Sequence, residues 1–238
     1  MTFEATYLGS NGWLIKFDNT NLIIDPWLTG DLVFPPGEWF FKGSLENEIL
    51  IDVDINLILL TQSLPDHCHI PSLKKFKQDI NIICPNSAKK LLEKEGFTSI
   101  NVIKPSEKIN QQGLEIEATA GAPVPKIENG YIVKDNNGSG FYIEPHGYLD
   151  KNLKPQKIDA VITPTINLDL PIVGSFVKGA DVLPKLIDTF HPRYVLSSTA
   201  GGEAKYTGFL NKFISVKEYD KDLKCNLVNL KSMDSVKI

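Results

Sequence analysis

The sequence predicts an α/β (α+β) chain folded as a four-layer αββα sandwich, two sheets packed face to face with helices outside. Short strand patterns arrive in blocks, with helical patterns set between them. Asn56–Thr61 is apolar almost without interruption, as in a strand covered on both faces. The 238 residues are 42% hydrophobic and 23% charged, an ordinary globular balance with length enough for one large domain or two small ones.

The first 25 residues read as strands at Thr2–Leu8, Gly12–Phe17 and Asn21–Ile24, with Asp18-Asn19-Thr20 as a hairpin turn. From Pro26 to about Asp54 the chain mixes Pro and Gly with Trp27, Phe34, Trp39, Phe40 and Phe41, which reads as a long functional loop or lid. After the strand at Asn56–Thr61 comes a helix at Pro71–Gln78, a strand at Ile80–Cys84, and a helix from Asn86 to Glu95 closed by Gly96. Strands at Ile100–Ile103 and Leu114–Thr119 lead to a hairpin of Tyr131–Lys134 and Phe141–Glu144 around Asn136-Asn137-Gly138. The remainder reads as strands at Ala160–Thr163, Tyr194–Ser197 and Cys225–Leu230, with helices at Gly179–Phe190 and around Tyr206–Phe213. The whole is expected to form a single domain, 1–238, of two strand-then-helix halves, about 1–125 and 126–238.

A formal charge of −4 gives no electrostatic reason for a nucleic-acid partner. The one basic cluster, Lys74, Lys75 and Lys77, reads as a solvated helix face. No stretch approaches the roughly 18 apolar residues of a membrane span, and a strand begins too early for a signal peptide. Cys68, Cys84 and Cys225 are too few for a disulfide framework, and Cys84 and Cys225 read as reduced core residues. These features point to a cytoplasmic protein acting on a small molecule, with no membrane or nucleic-acid partner and an oligomeric state the sequence leaves open.

Chemistry concentrates at Leu57–His69, where the apolar strand ends in a loop carrying Asp66, His67, Cys68 and His69. Two of the four histidines lie here. Thr61-Gln62-Ser63-Leu64-Pro65-Asp66-His67 resembles the metallo-β-lactamase superfamily signature T-H-x-H-x-D-H, with Gln62 and Leu64 in place of the leading histidines. Ala5–Ile15 and Leu22–Leu28 resemble the branch that includes the L-ascorbate-6-phosphate lactonases. There Ile24-Asp25-Pro26 is kept and Gly9-Ser10 stands for Gly-His. The positions of a further metal-binding His, a bridging Asp and a last His fall in Ala118–Pro123, Glu144-Pro145-His146-Gly147 and Val195–Ala200. His191 precedes that last strand and reads as an exposed residue at a helix C-terminus.

The resemblance implies a metal-dependent hydrolase. Two cations about 3.5–4 Å apart, with three or four protein ligands each, would find too few here. A reduced, mononuclear site is the expectation instead. Glu144 and His146 are two apart on what should be a strand, so their side chains leave on one face. If the hairpin end faces the Asp66 loop, as the resemblance implies, Asp66, His67 and His146 converge with either Glu144 or His69. Such a set suits one divalent zinc, iron or manganese ion, with Asp66 as the catalytic ligand that orients a water toward a small ester, lactone or phosphoester. The other reading is that these groups hydrogen-bond one another and hold no metal, in an inactive member serving as a ligand- or partner-binding module. Because the aromatic segment follows Asp25 directly, Pro26–Lys42 is expected to cover the mouth of the Asp66–His146 pocket, with Asp25, Gln62, Trp27 and Trp39 as pocket residues.

Overall fold

Two hairpin turns begin the first sheet. β1 (Glu4–Gly9), β2 (Gly12–Phe17) and β3 (Thr20–Ile24) form an antiparallel meander. This is a computed structural model, and it describes residues 3–123, 127–171, 174–198, 204–220, 223 and 225–238. A short hairpin follows, β4 (Asp31–Phe34) and β5 (Phe41–Leu45), and then β6 (Leu57–Leu59), parallel to β3. The first layer is completed by α1 (Ile70–Leu73), β7 (Asn81–Cys84), α2 (Asn86–Lys94) and β8 (Ile100–Val102).

A second meander runs through β9 (Lys108–Gln111), β10 (Leu114–Pro123), β11 (Ile127–Asp135) and β12 (Gly140–Ile143). After it come β13 (Ala160–Pro164), β14 (Ile166–Leu170), β15 (Gly174–Lys178), α3 (Gly179–Phe190) and β16 (Tyr194–Ser198). The chain ends with β17 (Ala204–Thr207), a 3-10 turn (Leu210–Lys212), β18 (Ser215–Glu218), β19 (Asn226–Val228) and β20 (Ser235–Lys237).

Two seven-stranded sheets result, ordered β20-β1-β2-β3-β6-β7-β8 and β19-β16-β13-β12-β11-β10-β9. Between them lies the main core, in which Tyr7, Trp13 and Leu59 of one sheet pack with Tyr131, Phe141 and Ile162 of the other. A second apolar cluster joins α2, through Ala88 and Leu92, to the outer face of the first sheet. Another joins α3, through Leu186 and Phe190, to the outer face of the second sheet. That gives the four layers expected from the sequence. No helix among the described residues is long and apolar enough to cross a membrane.

Several segments fold differently from the sequence expectation, among them the helix expected at Pro71–Gln78, of which only the short α1 at Ile70–Leu73 forms. The aromatic stretch after Pro26 is not a plain loop but the β4–β5 hairpin, joined by β17 in a three-stranded sheet ordered β17-β5-β4. The helix expected around Tyr206–Phe213 is replaced by β17 and a single 3-10 turn. Gly208 breaks any helix there at φ +106, with the Phe40 carbonyl oxygen 2.6 Å from where a Cβ would sit. Cys225 is partly exposed rather than in the core, whereas Cys68 and Cys84 are buried; all three are free. Lys74 and Lys75 pair with Glu95 and Glu48 on the surface, the solvated face foreseen for that cluster.

Candidate functional site

Strand ends of both sheets bring the polar residues together. β3 ends at Ile24, and Asp25 then takes a left-handed conformation, φ +43, which a short acidic side chain tolerates. Its amide bonds the Leu59 carbonyl at 3.1 Å, and its carboxylate reaches the end of neighbouring β6. There Thr61 donates its N–H to Oδ1 at 2.8 Å and its hydroxyl to Oδ2 at 2.5 Å. The second sheet fixes the same point from the other side. The Tyr131 hydroxyl donates to the Leu60 carbonyl at 2.8 Å, and the Asn129 amide donates to the Thr61 carbonyl at 3.1 Å.

Beyond Thr61 the chain turns on the Leu64 carbonyl, which accepts from the amides of His67 and Cys68. That turn places the His67 ring between two carboxylates. Nδ1 lies 2.7 Å from Asp25 Oδ2, and Nε2 lies 3.2 Å from Asp66 Oδ2. Nδ1 is placed to donate to Asp25, while Nε2 has the Asn11 amide nitrogen at 3.2 Å as well as Asp66. Burial opposes the charge, but Asp66 and Asp25 override it and push His67 up to about 10. Burial likewise raises Asp25, against the pull of His67 and Thr61. Because every polar hydrogen around Asp25 points at its two oxygens, the carboxylate is the form that fits. For Asp66 burial is outweighed by His67 and then His146, which hold it below the usual carboxylate range. Asn11 adds a bond from Nδ2 to Asp66 Oδ2 at 3.2 Å.

His146 arrives from the second sheet. After β12, Glu144 turns its carboxylate back onto the backbone, accepting from the amides of Ala122 (3.2 Å), His146 (3.1 Å) and Tyr148 (2.5 Å). Burial pushes Glu144 up to about 7 in spite of those donors. Gly147, at φ +68, lets the loop press against the start of α3; a Cβ there would lie 2.4 Å from the Gly179 nitrogen. So held, the His146 ring sits with its centroid 5.3 Å from that of His67, and Gln62 Nε2 donates to its Nδ1 at 2.9 Å. Burial and the nearby His67 charge push His146 down to about 3, so it is neutral.

His69 lies elsewhere. Ser72 Oγ accepts from the Leu28 amide and donates to His69 Nδ1 at 2.8 Å, while His69 Nε2 donates to the Asp31 carbonyl at 3.3 Å. Both ring nitrogens are thus used in pinning α1 to the β4 hairpin. Trp27 packs above it, fully buried, with its ring centroid 6.4 Å from both His69 and Tyr206. Gly43 makes the room, since a Cβ there would come within 3.0 Å of both Trp27 and Tyr206. Tyr206 of β17 supplies the aromatic that reaches the site: burial raises its phenol, the Ser10 hydroxyl bonds it and pulls the other way, and the Asp66 charge adds to the rise. Trp39 is 67% exposed and forms no part of the pocket wall.

The predicted residues thus divide. Asp25, Gln62, Asp66, His67 and His146 come together; Glu144 supports them through the backbone; His69 and Trp27 support them from beside; Trp39 faces away. Asn11, Thr61, Ser10 and Tyr206 enter without having been singled out. Thr61 carried a signal as the first letter of the signature, and Ser10 as the residue standing for the His of Gly-His. A metal does not fit this arrangement. Among the described residues no three His, Cys, Asp or Glu side chains converge to hold an ion, and a tetrahedral or larger site needs at least three. Both His67 nitrogens already face polar partners, and the oxygens of Glu144 are spent on amides.

Against known proteins, a family model described as "Beta-lactamase superfamily domain" matches residues 4–198. No curated protein matches at the sequence level. Among solved structures, a "possible metal-dependent hydrolase" from Veillonella parvula DSM 2008 superposes with a TM-score of 0.68 at 14% identity, covering 100% of both chains. A metallo hydrolase from the hyperthermophilic archaeon Ignicoccus hospitalis KIN4/I gives 0.63 at 15% identity, over 99% of this chain and 98% of that one. A mutant of the CmlA beta-hydroxylase gives 0.69 at 13% identity, and this chain spans 54% of its length. The same enzyme from Streptomyces venezuelae is described as diiron. At such identities these likenesses establish the fold.

Proposed function

The chain belongs to the beta-lactamase superfamily, and from that membership we propose that hydrogen-bonded side chains occupy its family metal centre and that it works as a binding module for a small molecule. One observation carries the reading: both nitrogens of His67 face carboxylates, at 2.7 and 3.2 Å. The two residues that match the family signature, Asp66 and His67, are therefore turned toward each other. A proton on Nε2 supplies the positive charge that Asp25 and Asp66 need, so the cluster is electrostatically supported without an ion. Burying those carboxylates unpaired would cost several kcal/mol each on the order of the desolvation penalty. A cavity of about 360 Å³, lined in part by Ser10, Trp27, Leu45 and Ile49, adjoins the Tyr206 side of the site and offers space for a ligand.

Elemental analysis of untagged protein tests this directly, paired with melting curves in EDTA and in added zinc or manganese. The expected result is substoichiometric metal and little change in melting temperature. A full equivalent of transition metal, lost in Asp66→Ala, would overturn the reading. So would ester, lactone or phosphoester hydrolysis that EDTA abolishes and metal restores.

A further inference from the structure

The cavity of about 360 Å³ beside Trp27 has two apolar lips. Leu50, in the loop that follows β5, forms one, and Met233, in the turn before β20, forms the other. Leu50 is 68% exposed and Met233 48%, so two large apolar side chains that the fold leaves in solvent line a single opening. Beneath them lie Leu8 and Ile49, both buried. The volume falls within the range of small-molecule sites.

The backbone around this opening is held in uncommon conformations. Met233 stands at φ +70, a left-handed region that a long side chain adopts at a cost, and its amide is tied to the Tyr7 carbonyl at 2.7 Å. Ser10, which also lines the cavity, stands at φ +49. Such outliers gather at ligand sites, where the surrounding structure holds them. Methionine is also the apolar side chain that adapts best to the shape of what it meets.

The charge of the lining is one-sided. Glu48 and Asp52 line the cavity, whereas no described Lys, Arg or His does. Glu48 accepts from the Thr29 hydroxyl and from Lys75 Nζ, the latter at 2.9 Å. Asp52 is exposed and forms no hydrogen bond or ion pair with any described residue. An anion would find no positive side chain in the lining. A neutral apolar molecule would use the two lips and leave the Asp52 carboxylate without a partner. A molecule with an apolar body and a cationic end would use both.

We propose that this cavity binds a small amphiphilic cation, its apolar body between Leu50 and Met233 and its protonated amine toward Asp52. The inference rests on the binding-module reading given above, whose ligand class it names.

2-Phenylethylammonium chloride is the probe, titrated calorimetrically into EDTA-treated protein of checked metal content. 2-Phenylethanol and sodium 3-phenylpropanoate keep the body and change the end, and serve as comparisons at one ionic strength. Saturable heat is expected with the amine and none with the carboxylate. The alcohol should bind about two- to fivefold more weakly than the amine, the worth of an exposed ion pair. Asp52→Asn should bring the amine down to the affinity of the alcohol. Met233→Gly removes one lip but suits the left-handed backbone. Amine binding should therefore fall about fourfold or more, as for loss of a buried methylene or larger, while the melting temperature holds or rises. Leu50→Ser, at an exposed position, should weaken binding as well.

Equal binding of the carboxylate and the amine would overturn the inference. So would unchanged amine binding in both Met233→Gly and Leu50→Ser. No saturable heat with any of the three, in protein that takes up no zinc, would overturn it and leave the binding-module reading intact. Stoichiometric zinc uptake with amine binding retained would overturn that reading alone, and zinc uptake that abolishes amine binding would overturn both.

Discussion

The two flanks of the site differ in how completely their polar atoms are used. On the Asp25 flank, Thr61, His67 and Asn11 fill both oxygens of Asp25 and Oδ2 of Asp66 at 2.5–3.2 Å. Oδ1 of Asp66 is the one carboxylate oxygen of these two residues left without a partner, whereas on the Gln62 flank Oε1 of Gln62 and Oγ of Ser198 both remain so among the described residues. The closed flank holds the residues that most resemble metal ligands, Asp66 and His67. The open flank holds the substitutions, Gln62 and the hydroxyls. On the function proposed above, the surviving ligand-type residues serve as framework.

The largest effect expected from this contrast is on the closed flank. Asp25→Asn keeps the shape and tolerates the left-handed backbone, but it leaves the buried His67 charge short of one counterion. Breaking a buried pair in this way costs about 3–5 kcal/mol, so urea denaturation should show a loss of that order. Gln62→Leu on the open flank should change stability far less, since it removes one neutral hydrogen bond worth about 0.5–1.5 kcal/mol and an oxygen already unpartnered. Equal losses at the two positions would erase the distinction between the flanks.

Acidity separates the flanks in a second way. His67 is raised to about 10 in the folded chain, from about 6.5 when unfolded. Its contribution to stability is therefore full below about pH 6.5 and is lost as pH rises toward 10. His146 is depressed to about 3, so its contribution is full above about 6.5 and fades as pH falls toward 3. Melting temperatures between pH 7 and 10 should decline in the native chain and flatten in His67→Gln, while His146→Gln should flatten the acid side only. An alkaline slope unchanged in His67→Gln would mean that the ring is neutral.

Glu144 lies between the flanks in expected effect. Its carboxylate orders the Pro145–Tyr148 loop that presents His146, so Glu144→Gln leaves one or more buried amides without an acceptor, at about 1–3 kcal/mol. The same denaturation experiment measures it. A loss below about 0.5 kcal/mol would show that His146 is held without the Glu144 carboxylate.

How far the site was legible in the sequence depends on the distance over which each contact forms. The sandwich, the loop after β6 that carries Asp66, and the gathering of Asp66, His67 and His146 could be read from apolar periodicity and from the signature resemblance. The direction of each side chain could not. Spacing put Glu144 and His146 on one face, yet Glu144 folds back onto three amides, one of β10 and two of the loop that follows β12. His69 looked like a ligand by its place beside His67, but the start of α1 at Ile70 turns it toward Ser72. Tyr206 gave no signal, because its role comes from pairing with β5, more than 150 residues earlier in the chain.

The smallest effect concerns the aromatic segment that follows Asp25. Trp27 and Trp39 are both large apolar residues of that segment, but Trp27 is 1% exposed and Trp39 67%. Trp27 donates its Nε1 hydrogen to the Gly30 carbonyl and packs over His69 beside Tyr206. Trp39 touches Phe40 edge-on and otherwise faces outward. Covering of the site is thus achieved by the sheet to which the segment contributes β4 and β5, and by Tyr206, without the indole of Trp39. Trp39→Ala should leave stability within about 0.5 kcal/mol, as for exposed positions generally. Urea denaturation of this one variant checks it, and a loss above about 2 kcal/mol would show that the indole packs on the sheet below it.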